Sequence, residues 1–212
     1  PEEILVGYIA PSLSDPFHGE VVERLDSELH RMGGSLIVAG GGQTPQSLEK
    51  SAKRLIGAGV AGLLISCPPQ ASFRSIEKLG IPTVWCAGIP EHTAFDRVTI
   101  DNESGVSDIM EHLCALGCRT FGYAQSGNRR PGDDARSRAF LDYIETQRLK
   151  SLKRWQVLTP GVGEVAGREI LRKLVKVGTL PDALVCCNDW IAVGIIAEAR
   201  AQRLSLPKRL KV

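Results

Sequence analysis

The residues Asn188, Asp189 and Trp190 close the apolar run "ALVCC". An amide, a carboxylate and an indole can together accept, donate and stack, and Asp189 also reads as the cap of a helix that begins at Trp190 or Ile191. Catalysis would need a nucleophile and a base within reach of that carboxylate; recognition needs only exposure to a ligand. A second polar set follows the first apolar run, in "PSLSDPFHG": Ser12, Ser14 and Asp15, then Phe17 and His18. Asp15 before Pro16 also has the pattern of a helix cap with proline at the first helical position. The two roles are compatible, because a helix that starts at a strand end offers free amides to a ligand. A third set lies in "QSGNRRPGDDARSR", which carries Arg129, Arg130, Arg136 and Arg138. Arg136 opens a stretch whose apolar face includes Ala139, Phe140 and Tyr143. Its guanidinium is expected at the rim of a site, able to hold hydroxyls or a carboxylate through two bonds. Asp101 and Asn102, in "IDNESG", read as turn and cap chemistry.

The remaining candidates point away from catalysis. G-x-S-x-G, H-E-x-x-H and G-x-x-x-x-G-K-[ST] are all missing from the sequence. The expectation is a protein that is not an enzyme and holds no cofactor. "AGGGQT" lacks the spacing of a dinucleotide loop and reads as an ordinary loop. His18 lies near the first polar set; His30, His92 and His112 are scattered. Cys67, Cys86, Cys186 and Cys187 sit in or beside apolar runs, as structural thiols do. Cys114 and Cys118 have no matching pair for a metal. The basic runs "RLKSLKR" (148–154) and "PKRLKV" (207–212) lack interleaved aromatics and read as solvated surface.

These groups need a scaffold, and the pattern supplies one. The 212 residues are 43% hydrophobic and 24% charged with a net charge of +2, the composition of an ordinary globular chain. Nothing resembles a signal peptide or a membrane span, so a cytoplasmic protein with no membrane partner is expected. Apolar runs predict strands at 4–9, 35–39, 62–66, 83–86, 97–100, 120–124, 156–158 and 183–187. Three-four periodicity predicts helices at 19–32, 44–57, 72–79, 103–116, 134–146, 165–177 and 191–202. Continuous apolar strands alternating with helices make parallel sheets covered on both faces, an α/β architecture. The order repeats: "ILVGYIAPS" is echoed by "RTFGYAQSG", and "VAGLLISCPP" by "PDALVCCND". Two similar lobes are expected, with ligands at the carboxyl ends of the strands and a cleft between the lobes.

The chain resembles the effector-binding domain of the LacI/GalR family of bacterial transcription regulators. The matching pieces run in family order: "VGYIAPSLSDPFHGEVVERLDSEL", "VAGLLIS", "LGIPTVW", "VTIDNESGVSDIMEHLCALGCRTFGYAQSG", "RSRAF" and "CNDWIAVGIIAEARAQRLSLPKRLKV". The resemblance implies a type I periplasmic-binding-protein-like fold of two Rossmann-like subdomains, here incomplete at the C-terminus. The expected boundaries are 1–104 and 105–206, with 207–212 beginning a crossover back to the first subdomain. It also implies a small polar effector, a carbohydrate by family analogy, and a homodimer. Operator DNA would be bound through an N-terminal domain outside this sequence. The implied ligand contacts are Ser12, Ser14, Asp15, Phe17, His18, Arg136, Val162, Asn188, Asp189 and Trp190. Where many relatives carry an Asp-Arg pair after the fourth strand, this chain has Ala87 and Gly88. His18 stands where a second aromatic often follows Phe17. The alternative reading is a periplasmic sugar-binding protein of a transport system.

Overall fold

The computed structural model describes residues 3–41, 44–66, 73–86, 95–127 and 130–212. Expectations about Cys67, Ala87, Gly88, His92 and Arg129 lie outside these residues. The described chain alternates strand and helix: β1 (Ile4–Ala10), α1 (Pro16–Arg31), β2 (Gly34–Gly40), α2 (Pro45–Gly57), β3 (Gly62–Ile65), α3 (Phe73–Glu77), β4 (Thr83–Cys86) and β5 (Asp96–Val98). It continues with α4 (Asn102–Ala115), β6 (Phe121–Ser126), α5 (Ala135–Thr146), β7 (Gln156–Thr159), α6 (Gly163–Lys176), β8 (Ala183–Cys186) and α7 (Asp189–Ala201). Among the described residues no helix is long and apolar enough to cross a membrane.

The chain divides into two compact units, Pro1–Ile100 and Asp101–Val212. The division falls before α4, so that helix packs on α5 in the second unit, whereas the sequence suggested a boundary at residue 104. In the first unit every strand pairs in parallel, in the order β2-β1-β3-β4-β5. In the second the order is β7-β6-β8, again parallel. Residues 207–212, expected to begin a return to the first subdomain, stay with the second unit. Lys211 there pairs with Ala183 along the free edge of β8.

The helix starts are set by side chains. Asp15, Thr44, Asp101, Asp134 and Asn188 each accept a backbone N–H of the first turn, and Pro16 and Pro45 occupy first helical positions. Each side chain satisfies a donor that the helix itself leaves unpaired. Helix α1 therefore begins at Pro16, earlier than its apolar periodicity implied. The first core is built on Ile9, Leu48, Leu63, Ile65 and Trp85. The second is built on Met110, Phe121, Phe140, Ile170, Leu184 and Ile195.

One contact in the second unit is unusually close. A Cβ on Gly167 would lie 2.2 Å from the carbonyl oxygen of Ile191, and one on Gly194 2.1 Å from that of Glu164. Helices α6 and α7 thus touch backbone to backbone, a distance open only to glycine. The same helix pair is tied further down by Glu198, almost fully buried. Its carboxylate accepts both Nε and Nη2 of Arg172 at 2.8 Å, and Gln202 at 2.9 Å. The hydrogen bond from Arg172 holds that carboxyl below its ordinary range.

Candidate functional site

Both units place polar residues where strands end and helices begin. In the first, β1 runs into Pro11 and a short loop. Ser12 and Ser14 share a hydroxyl hydrogen bond of 2.9 Å. The Asp15 carboxylate accepts the Phe17 N–H at 3.0 Å, so the capping role read from sequence is present. The Phe17 ring is half exposed and meets His18 edge-on, with centroids 5.2 Å apart. His18 itself is buried at 7% exposure. Its Nδ1 shares a 2.9 Å hydrogen bond with the Tyr8 hydroxyl from β1. Burial lowers the His18 pKa, with Asp15 partly opposing the shift. The imidazole is therefore a support beneath Phe17, while the Phe17 face and the two serines are turned to solvent.

In the second unit the carboxyl ends of β6 and β8 meet the starts of α4, α5 and α7. Arg136 joins three of these segments. Its Nε donates to Asn102 Oδ1 at 2.8 Å, and its Nη1 to the Cys187 carbonyl at 2.6 Å. The expectation of a guanidinium reaching out to a ligand is thus refined. Two of its three nitrogens are committed to the protein, bracing the segment that carries Asn188 and Asp189. Asn102, read from sequence as connection chemistry, is the other half of this brace. No sequence signal marked the pairing, since 34 positions separate the two residues.

The Asn-Asp pair also divides its work differently from the sequence reading, which gave the helix cap to Asp189. Asn188 is the cap: its backbone is extended (φ −160°, ψ 169°) and its Oδ1 accepts the Ile191 N–H at 2.9 Å. Asp189 is already the first helical residue, so its side chain cannot reach back over the first turn. Its carboxylate stays exposed at the strand end. Trp190 is half-buried, its ring lying over Gly163, where a Cβ would sit 3.1 Å from the indole. Val162, immediately before Gly163, is 70% exposed and caps α6 without a side-chain bond. Trp190 and Val162 are therefore neighbours across the starts of α7 and α6.

Two buried groups were missed by the sequence reading. Tyr123 Oη and Gln125 Oε1, both on β6, are buried and make no hydrogen bond with a described residue. Burial first, then Asp134, pushes the Tyr123 phenol up, so it is a neutral donor. The signal available was the polar Gln125 at a position in phase with Phe121 and Tyr123, where apolar residues would be expected. The Cys187 thiol, also raised by burial, lies 3.5 Å from the Ser126 hydroxyl. Among the described residues no three His, Cys, Asp or Glu side chains are grouped to hold a metal. A shallow hollow along α2 is lined by Gln46, Glu49, Lys50 and Lys53, and gathers no convergent donor set.

The geometry shows two α/β units with polar groups at their strand ends, and likeness to known proteins gives this class a place. Residues 110–212 match the family described as "Periplasmic binding protein-like domain". Across 99% of its length the chain is 26% identical to the HTH-type transcriptional regulator MalR of Streptomyces coelicolor, spanning 63% of that protein. It is 22% identical over 98% of its length to the HTH-type transcriptional repressor PurR of Pasteurella multocida, again spanning 63% of it. Solved structures agree on the fold. A LacI family transcriptional regulator from Lactobacillus casei with bound sucrose matches with a TM-score of 0.83 at 20% identity, over 97% of this chain and 77% of that one. The Cra transcriptional dual regulator of Pseudomonas putida, in complex with fructose 1-phosphate, matches with 0.81 at 19% identity, over 98% and 77%. The resemblance to LacI/GalR regulators is borne out, and the fold is that of the two solved regulators just named. The chain spans less than two thirds of the curated relatives it matches.

Proposed function

We propose that this chain is the effector-sensing part of a LacI-type transcription regulator, and that its effector is a small polyhydroxylated molecule. The observation that carries the reading is the second-unit cluster. There the Arg136 brace and the Asn188 cap fix the strand end, leaving the Asp189 carboxylate exposed. A carboxylate carried on a fixed backbone accepts hydrogen bonds from vicinal hydroxyls. On the first unit, taken by itself, Phe17 presents an apolar face beside the Ser12 and Ser14 hydroxyls, a second set of the same chemistry. Trp190 and Val162 supply an apolar wall beside Asp189. The sugars bound by the structural relatives named above support the ligand class. Arg136 contributes through position first, with Nη2 as its remaining donor.

Sensing requires the effector to bind one conformation of the protein better than another. In the complete regulator that difference would reach operator DNA through a DNA-binding domain, in a cytoplasmic homodimer. The relatives are regulators, which favours this reading over a transport protein or an enzyme. The test is isothermal titration with sucrose, glucose and fructose 1-phosphate, followed by Asp189→Ala. Binding that vanishes in the variant, with an unchanged circular dichroism spectrum, supports the assignment. Equal affinity in the variant removes Asp189 from the site.

A further inference from the structure

The end of the second unit opposite the candidate site gathers positive charge from segments far apart in sequence. Parallel bridges set Lys150 beside Thr120, and Ala183 beside Lys211. The backbone bonds between Thr120 and residues 182–183 complete the row. Lys150, Arg119 and Lys211 thus share one margin of the sheet, about 14 Å across at the usual strand spacing. Lys153 and Arg154 flank it on one side, Lys208 and Arg209 on the other, all four exposed. The two basic runs that read as separate solvated surfaces are one surface.

Three features separate this margin from ordinary solvated lysines and arginines. First, none of these cations forms an ion pair with a described residue, whereas Arg168, Arg172 and Lys173 on neighbouring α6 are all paired. The acid in the row, Asp182, accepts the N–H groups of Arg119 and Thr120, 2.8 Å each, and interacts with the Lys211 charge from beyond ion-pair distance, while Arg119 Nη1 donates to the Cys114 and Cys118 carbonyls. Second, the chain holds arginine in a left-handed backbone at two helix exits on this end, Arg148 (φ 50°) and Arg203 (φ 55°). The matching exits of α4 and α6 use Gly117 and Gly178 (φ 86° and 81°), the residue that adopts this conformation without strain. Strain kept at a charged surface points to a use for the charge. Third, the segments offer little exposed apolar surface: Trp155 is 4% exposed and Leu210 fully buried, which leaves Val212 (40%) as their exposed apolar side chain among the described residues. Protein partners are held by apolar anchors, and single strands by exposed rings. Phosphates need neither.

We propose that this basic margin binds the phosphate backbone of duplex nucleic acid, without reading its sequence. Its width lets cations at the two ends reach phosphates on both sides of a major groove of about 12 Å. The contact is electrostatic, so its affinity falls steeply with salt.

The test is fluorescence anisotropy of a labelled duplex of arbitrary sequence, titrated with this chain at several salt concentrations. The expected result is binding that weakens as salt rises. In the double variant Lys150→Glu with Arg209→Glu it should weaken roughly tenfold or more at low salt. Lys50→Glu on α2, outside the margin, should leave it unchanged. Arg148→Gly with Arg203→Gly removes two charges and the strained backbone together, so weakened binding in that pair cannot be put down to misfolding. Parent-like binding in both margin variants, or binding indifferent to salt, overturns the proposal. So does preferential binding of a poly-glutamate peptide, which would make the partner an acidic protein. Sugar titrations of the same variants are expected to match the parent, which keeps this result separate from the effector reading.

Discussion

Replacing Arg136 by alanine tests whether that residue is a strut or a ligand clamp. The side chain makes two hydrogen bonds from a charged donor, 2.8 Å to Asn102 and 2.6 Å to the Cys187 carbonyl. Such bonds each contribute about 1.5–3 kcal/mol when buried. Arg136 is only half-buried, so the lower part of that range applies, and the loss of both bonds comes to about 3–4 kcal/mol. At roughly 2–4 °C per kcal/mol for a chain of this size, the melting temperature should fall on the order of 10 °C. Arg136→Lys keeps the charge but can reach only one acceptor, and should fall between parent and alanine variant. The assay is thermal unfolding followed by circular dichroism, with sugar titration of each variant below its transition. A strut predicts lost stability together with weakened effector binding, because the Asn188-Asp189 segment loses its brace. An alanine variant that melts with the parent would refute the reasoning and return Arg136 to a purely ligand-facing role.

Other outcomes follow from the same geometry. Asn188→Ala should destabilise by about 1 kcal/mol in urea titration, through loss of the α7 cap. Asp189→Ala should change stability by less, about 0.3–1 kcal/mol from the helix dipole; the reverse order would restore Asp189 as the cap. Gly167→Ala sets a methyl against the Ile191 carbonyl and should cost about 3 kcal/mol or more, seen as a lowered urea midpoint; a neutral result would mean α6 and α7 separate freely. The lowered pKa of His18 gives stability a direction in pH. The unfolded chain takes up that proton near 6.5, the folded chain only at lower pH. The contribution is therefore complete above 6.5 and is lost as pH falls through the folded value. His18→Gln should flatten this part of the curve in thermal melts between neutral and mildly acid pH.

The sequence by itself determined the alternation of the elements, the α/β class and the Asp15 cap. These are local properties: an apolar run, a three-four period, or an Asp before Pro at 15–16 acts over a few residues. It also placed Asp189 and Phe17 at strand ends, because those positions follow from where the apolar runs stop. The tertiary structure decided which residues meet. Arg136 finds Asn102 and the Cys187 carbonyl only because β8 lies beside β6 and α4 packs on α5. The cap fell to Asn188 rather than Asp189 because a backbone dihedral, not residue type, decides where a helix begins. Tyr123 looks like an ordinary strand residue until Phe140 of α5 packs on its ring. The two basic runs, more than 50 positions apart, became one surface when β6, β7 and β8 aligned their starting ends. Contacts across such separations depend on strand order, and strand order is fixed by the packing of the whole sheet rather than by any short stretch of chain.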